Sequence, residues 1–249
     1  MVCASGQHGG GHQLSSYISN RELDELGDGL VRRFLERSGV RGAERCIDIV
    51  GLANFLGLNV IYEKFAEQDM DKIGFLADGK TTLKIVRDGE IVSFLFPLGT
   101  IVLDSFLQRD RESGRCRFTI AHEIAHFVIN RHRPAAEFHR VFDAEKNYTL
   151  AEMSEHFNLV ESQADRLAAA ILMPQITVNR ALMDFHKGRR IIVYGQNVFA
   201  EKEQNAISKM AAQVGVSYTA MLIRLRQFNL LEYHSIDEYL DMTVPGGMA

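Results

Sequence analysis

Residues 115–130 read RCRFTIAHEIAHFVIN and residues 161–174 read ESQADRLAAAILMP; these two runs decide what kind of molecule the chain makes. The first is apolar nearly all the way round a helical wheel, which predicts a helix buried on most sides. Into that apolar surface it sets His122, Glu123 and His126, in the pattern HExxH. Residues four apart on a helix share one face, so two imidazoles at this spacing can reach a single ion of tetrahedral preference. Glu123 points about 100° further round the helix. That offset takes it off the ion and toward a water beside it, where a carboxylate can accept a proton as hydrolysis begins. Two histidines and an acid buried among Ile120, Ile124, Phe127 and Val128 conflict with their surroundings unless something compensates them, and a bound cation does so.

A hydrolytic zinc site takes three protein ligands and keeps a position for water, so a third ligand is expected elsewhere in the chain. The second run supplies one. On a helix over about 155–172, stopped by Pro174, Glu161 shares a face with Phe157, Ala164, Asp165, Ala168 and Leu172. An acid in such a stripe is expensive without a partner, and alanines at 164 and 168 let a second helix come close. Asp165, one turn on, is placed to accept a hydrogen bond from the second ring nitrogen of a liganding histidine, His122 by preference. Other ligand candidates, His132, His139, Asp143, Glu152, Glu155 and His156, lie in a polar, irregular stretch or off that stripe. A donor to the oxyanion of the transition state is also expected, with Tyr148 and His156 as candidates.

The pair of runs resembles the ImmA/IrrE family of bacterial metallopeptidases, whose pattern is HExxH, then ExxA with Asn or Asp, then a closing apolar-Met-Pro. The resemblance covers about 47–174. It implies zinc ligands at His122, His126 and Glu161, Glu123 as base, and an α+β fold with a zincin-like core, in the thermolysin-like arrangement of HExxH plus Glu. It also implies a zinc endopeptidase acting on a protein substrate, a helix-turn-helix repressor of transcription. Two histidines and a glutamate do not by themselves select zinc, so Mn²⁺ is the other ion considered.

The rest of the chain fits a cytoplasmic enzyme. With 249 residues, 46% of them hydrophobic, it can bury one substantial core. A net charge of −4 gives no general attraction to nucleic acid or an anionic membrane. Cys3, Cys46 and Cys116 form no spaced pair, which fits a reducing compartment. No run is long and apolar enough to span a bilayer. Residues 1–16, glycine-rich and without an apolar stretch, read as a disordered tail rather than a leader. The metallopeptidase domain is expected over 17–175, with a C-terminal helical region over 176–249 packed on it.

Within the domain, Leu23, Leu26, Leu30, Val31 and Phe34 recur at helical spacing behind Ser19 and Asn20, predicting a capped helix. A second helix spans about 47–56. The segments KIGFLA, TLKIVR, EIVSFLF and TIVLDSFL, separated by Asp78-Gly79, Asp88-Gly89 and Pro97-Leu98-Gly99, predict a small antiparallel meander. A substrate peptide is expected to pair with its edge, placed within 91–107. Toward the C-terminus, AISKMAAQVGVSYTAMLIRLRQFNLL reads as two helices joined at Gly215 with Ser217 as cap, a helix-turn-helix-like pattern. The alternative function is therefore a catalytically silent regulator that binds a repressor or DNA through this segment. Four basic and three acidic residues over 201–235 make packing the preferred role.

Overall fold

The structure, a computed structural model, describes residues 18–39, 45–66, 73–111, 113–130 and 150–243, with the side chains of 150–158 outside that description. The predicted tail, Tyr148 and the stretch 131–149 lie outside the described residues. The elements in chain order are helices α1 (Asn20–Arg37) and α2 (Ile49–Phe55), strands β1 (Asn59–Glu63), β2 (Gly74–Leu76), β3 (Thr82–Arg87), β4 (Glu90–Leu95) and β5 (Thr100–Asp104), helices α3 (Gly114–Ile129), α4 (Leu150–Leu172) and α5 (Gln175–His186), strand β6 (Ile191–Tyr194), helices α6 (Glu201–Val214) and α7 (Tyr218–Gln227), strand β7 (Leu231–His234) and helix α8 (Ile236–Thr243). The fold is mixed α and β, with several helices around small sheets.

Local chemistry sets the helix boundaries. Ser19 caps α1 reciprocally: its hydroxyl accepts from the Glu22 amide while the Glu22 carboxylate accepts from the Ser19 amide, leaving two fewer unpaired donors. Leu23, Gly27, Val31 and Phe34 form the buried face of α1, whereas Leu26, expected inside, is 39% exposed. Gly27 takes its place: a Cβ there would lie 2.6 Å from that of Ala170, so α1 meets α4 with almost no side chain between them. Ser113 caps α3 by accepting from the Cys116 amide. Ten of the sixteen residues of α3 are buried, as its apolar circumference requires, and it packs against α2, α4 and β2.

The strands do not form the expected meander. One three-stranded sheet has the order β1-β5-β2, with β1 parallel and β2 antiparallel to β5. The other two strands make a separate hairpin, β3-β4, around Asp88 (φ 52°) and Gly89 (φ 84°), a tight two-residue turn matched to strand twist. The reason lies in burial. Val60, Tyr62, Leu76, Ile101 and Leu103 face the main core with α3, while the alternate residues Ile61, Phe75 and Val102 face a second cluster. Leu83, Ile85 and Phe96, from the hairpin and its exit, fill that second cluster, so β3-β4 packs on the sheet, tied to the residues just after β1 by an antiparallel bridge between Phe65 and Ile85. Because β5 is central, the part of the range 91–107 that falls on it is paired on both sides and offers no edge; among the described residues the three-stranded sheet ends at β1 and at β2, and β2 lies beside α3. Ile73 and Ala77 bond to β5 through Asp104 and Thr100, so by strand alternation the amides and carbonyls of Gly74 and Leu76 point away from β5, to a side where no strand pairs with β2 among the described residues.

The main core continues into the C-terminal residues, including Val178, Leu182, Ile207, Met210, Met221 and Leu225. Gly215, in the left-handed region (φ 74°), ends α6, and Ser217 caps α7 by accepting from the Ala220 amide. Two arginines fasten this part to the rest. Arg117 of α3 donates to the carbonyls of Ile47 and Gly215. Arg224 of α7, fully buried, donates to the Met173 carbonyl at 2.9 Å and to Asp24 of α1 at 2.6 Å, while Arg166 of α4 binds the other Asp24 oxygen. Replacing Arg224 by Met should lower stability by about 3 kcal/mol, the usual cost of breaking one partner from a buried ion network. Urea unfolding with an unchanged midpoint would show that α7 is not held in this way.

Candidate metal centre

The helix α3 presents His122 and His126 one turn apart, both buried, toward α4, which brings Glu161 and Asp165 to the same place. The two Nε2 atoms lie 2.9 Å apart. Glu161 sends Oε2 to within 3.2 Å of His122 Nε2 and Oε1 to within 3.5 Å of His126 Nε2. On the far side of its ring, His122 Nδ1 lies 2.9 Å from Asp165 Oδ1, the contact that fixes which nitrogen faces Glu161. Among the described residues, His122, His126 and Glu161 form the one group of three possible ligands, with ligand atoms all within 4.8 Å of one another.

These distances allow a test of fit. Bonds of about 2.0–2.1 Å in tetrahedral geometry separate ligand atoms by roughly 3.3 Å. The three observed separations bracket that value, and the donor set, two imidazole nitrogens and a carboxylate oxygen, matches the ligands of a hydrolytic zinc ion. The residues fit the group.

Electrostatics say how the site waits for a cation. Burial disfavours a charged His122, but hydrogen bonds to Asp165 and Glu161, aided by the charge of Glu123, outweigh it and push its pKa up to about 9. At neutral pH the protein residues alone thus hold a proton where a metal ion would bring its charge. A metal must displace that proton, because only the neutral ring is a ligand.

The remaining residues sort by position. Glu123 is 1% exposed and is not among the clustered ligand atoms; its carboxylate lies against β2, beside Gly74 and the Thr119 methyl. Of the two donor candidates, Tyr148 lies outside the described residues, and His156 is described only as a position on α4. The weaker ligand candidates His132, His139 and Asp143 are likewise outside them, and Glu152 and Glu155 are described only as positions on α4. Sequence reasoning read the segment KIGFLA as a strand but did not bring β2 (Gly74–Leu76) to the site. The only signal was a glycine inside an apolar run, which often marks a close approach of backbone to something else.

A peptidase family model, described as the IrrE N-terminal-like domain, matches residues 53–226. That span takes in α3, α4 and the helix pair α6-α7. No curated protein matches the chain. Among the described residues, no helix is long and apolar enough to cross a membrane.

Two measurements check the centre. Zinc uptake at pH 7 should release about one proton per ion, read by calorimetry in buffers of different ionisation enthalpy; no release would mean that His122 is already neutral. Glu161→Ala should abolish retention of the ion, whereas Asp165→Ala should weaken it by about 10–100-fold. Undiminished zinc in Glu161→Ala would remove that residue from the ligand set.

Proposed function

This chain belongs to the ImmA/IrrE family of metallopeptidases, and we propose that it is a zinc-dependent endopeptidase whose substrate is a helix-turn-helix repressor. The observation that carries the peptidase reading is the convergence of His122, His126 and Glu161, with Glu123 beside the first of them in sequence and its carboxylate against β2 at Gly74. In this reading the core is zincin-like, the metallopeptidase domain spans 17–175, and residues 176–249 form a helical region packed upon it.

Each residue then has a task. A divalent ion held by His122, His126 and Glu161 would polarise the scissile carbonyl and make a water acidic enough to attack near neutral pH. Glu123 accepts the proton of the attacking water and returns it to the leaving amine, a transfer that a carboxylate buried beside the reacting atoms performs well. Asp165 holds His122 in the tautomer that turns Nε2 toward Glu161. The substrate is an extended segment that adds to β2, pairing with the outward backbone groups of Gly74 and Leu76; such pairing gives affinity with little demand on side-chain sequence. Zinc is the ion proposed, with Mn²⁺ the alternative compatible with the same donors.

The other reading, a silent regulator that binds DNA through α6-α7, finds less support. The guanidinium of Arg224 points inward to Asp24 and Met173, not to a phosphate, and that of Arg226 is bonded to Asn197. Packing is the role that the pair's buried face favours, with Met210, Val214, Met221, Leu222 and Leu225 all inside.

Glu123→Gln should keep the wild-type zinc content and lose cleavage of a repressor encoded beside its gene, followed by gel electrophoresis of the purified pair. Cleavage by this variant at the wild-type rate would sink the proposed mechanism. A wild-type protein that leaves the repressor intact but binds operator DNA, with an affinity falling steeply in salt, would establish the regulator instead.

A further inference from the structure

Gly74 is a glycine that its backbone does not need. It lies inside β2, is not among the residues with positive φ, and a glycine in a strand interior costs stability relative to residues with side chains. Space is the reason for it. A Cβ at this position would lie 2.6 Å from Glu123 Oε1, 3.3 Å from Glu123 Cδ and 2.7 Å from Thr119 Cγ2, and two of these separations are shorter than carbon and oxygen or carbon atoms tolerate. Neither neighbour has an easy retreat. Glu123 is 1% exposed and Thr119 7%, and the Thr119 hydroxyl is bonded to the Arg115 carbonyl at 3.0 Å, which fixes the rotamer that turns its methyl toward β2.

We propose that Gly74 is a positioning residue for Glu123: the bare backbone of β2 is the wall against which the carboxylate rests, and it sets the height of that carboxylate beside His122 and His126. The inference rests on the peptidase reading above, in which Glu123 handles the proton, and adds to it the element that places the base. Two demands meet at this one residue. Its Cα side must leave room for the acid, while its amide and carbonyl face the open edge where an extended substrate would pair. Glycine meets both, since it lets the strand lie close to α3 without pushing the acid aside. Any larger residue would raise the strand from the helix or turn the carboxylate away.

The test uses the full-length zinc-loaded protein. In a crystal structure of Gly74→Ala, the Glu123 carboxylate should move by about 1 Å or rotate away, while His122, His126 and Glu161 stay in place and zinc content is unchanged. A displacement of that size should lower kcat by about 10²-fold with KM changed little, measured on a mixture of internally quenched peptides; Gly29→Ala, at a site with nothing within 4 Å of the added carbon, serves as control. The thermal midpoints of Gly74→Ala and Gly74→Ala/Glu123→Ala complete a cycle that needs no substrate. The alanine at 74 should destabilise the protein clearly less when Glu123 is already Ala, the cost that remains being its contact with the Thr119 methyl. An unmoved carboxylate, or equal destabilisation in both backgrounds, overturns the proposal. So does a raised KM at unchanged kcat, which would make Gly74 a residue of substrate binding alone. A wild type that cleaves no peptide would defeat the peptidase reading instead, and the structural and thermal arms would still judge the placement of Glu123.

Discussion

Two imidazoles and two carboxylates, set into an otherwise apolar contact between α3 and α4, are the constraint around which this molecule is arranged. Polar groups taken out of water must find partners or be paid for in stability. Here they find one another: Asp165 holds one side of the His122 ring, Glu161 bridges the other side to His126, and the two rings meet edge on. The pairing requires the helices to lie close. Ala121, Ala125, Ala164 and Ala168 are all fully buried, and their short side chains let the longer polar ones span the interface.

That contact would be of little use if α4 could slide, and most of the remaining architecture prevents it. On one flank α1 meets α4 at Gly27 and Ala170 without intervening side chains. At the end of α4 the Met173 carbonyl is taken by Arg224 from α7, whose guanidinium also binds Asp24 and stacks on Phe228 at 4.1 Å. Arg166, one residue after Asp165, binds the same Asp24. The placement of Glu161 and Asp165 thus depends on helices far away in sequence, a physical reason for the family match to reach residue 226, well past the two motifs. Arg117 does the same for α3, joining its first turn to the glycine turn between α6 and α7.

The helices and their caps were legible in the sequence because the information is local: a serine three residues before its partner, an apolar stripe with period 3.6, a proline at the stop. The same holds for the cluster, since the i, i+4 spacing of two histidines and an acid in an alanine-rich stripe are both readable along one helix. Strand pairing was not. Alternation says which residues share a face but not which strand lies alongside, so β2, β3, β4 and β5 were read as successive strands of a meander, although β5 pairs instead with β2 and, in parallel, with β1. One sign was present in the run Thr100-Ile-Val-Leu103, which has no polar alternation and is buried throughout, the mark of a strand covered on both faces. Gly27 and Arg224 escaped notice for a related reason. Each matters through a partner more than a hundred residues away, and nothing beside it in the chain announces that partner.

Exposure completes the picture of the site. The side chains of His122 and His126 are 5% and 1% exposed, those of Glu161 and Asp165 27% and 46%. The two imidazoles are therefore fixed from within the core while the acids stand toward solvent, so among the described residues the more exposed side of the cluster is that of α4. A cation arriving from that side meets carboxylates first, which draw it in by charge, and reaches the rings only as His122 gives up its proton. Rigidity and openness are thus divided between two helices. The buried one holds Glu123 and the two imidazoles in a geometry that core packing defends, and the other closes the cluster from its more exposed side.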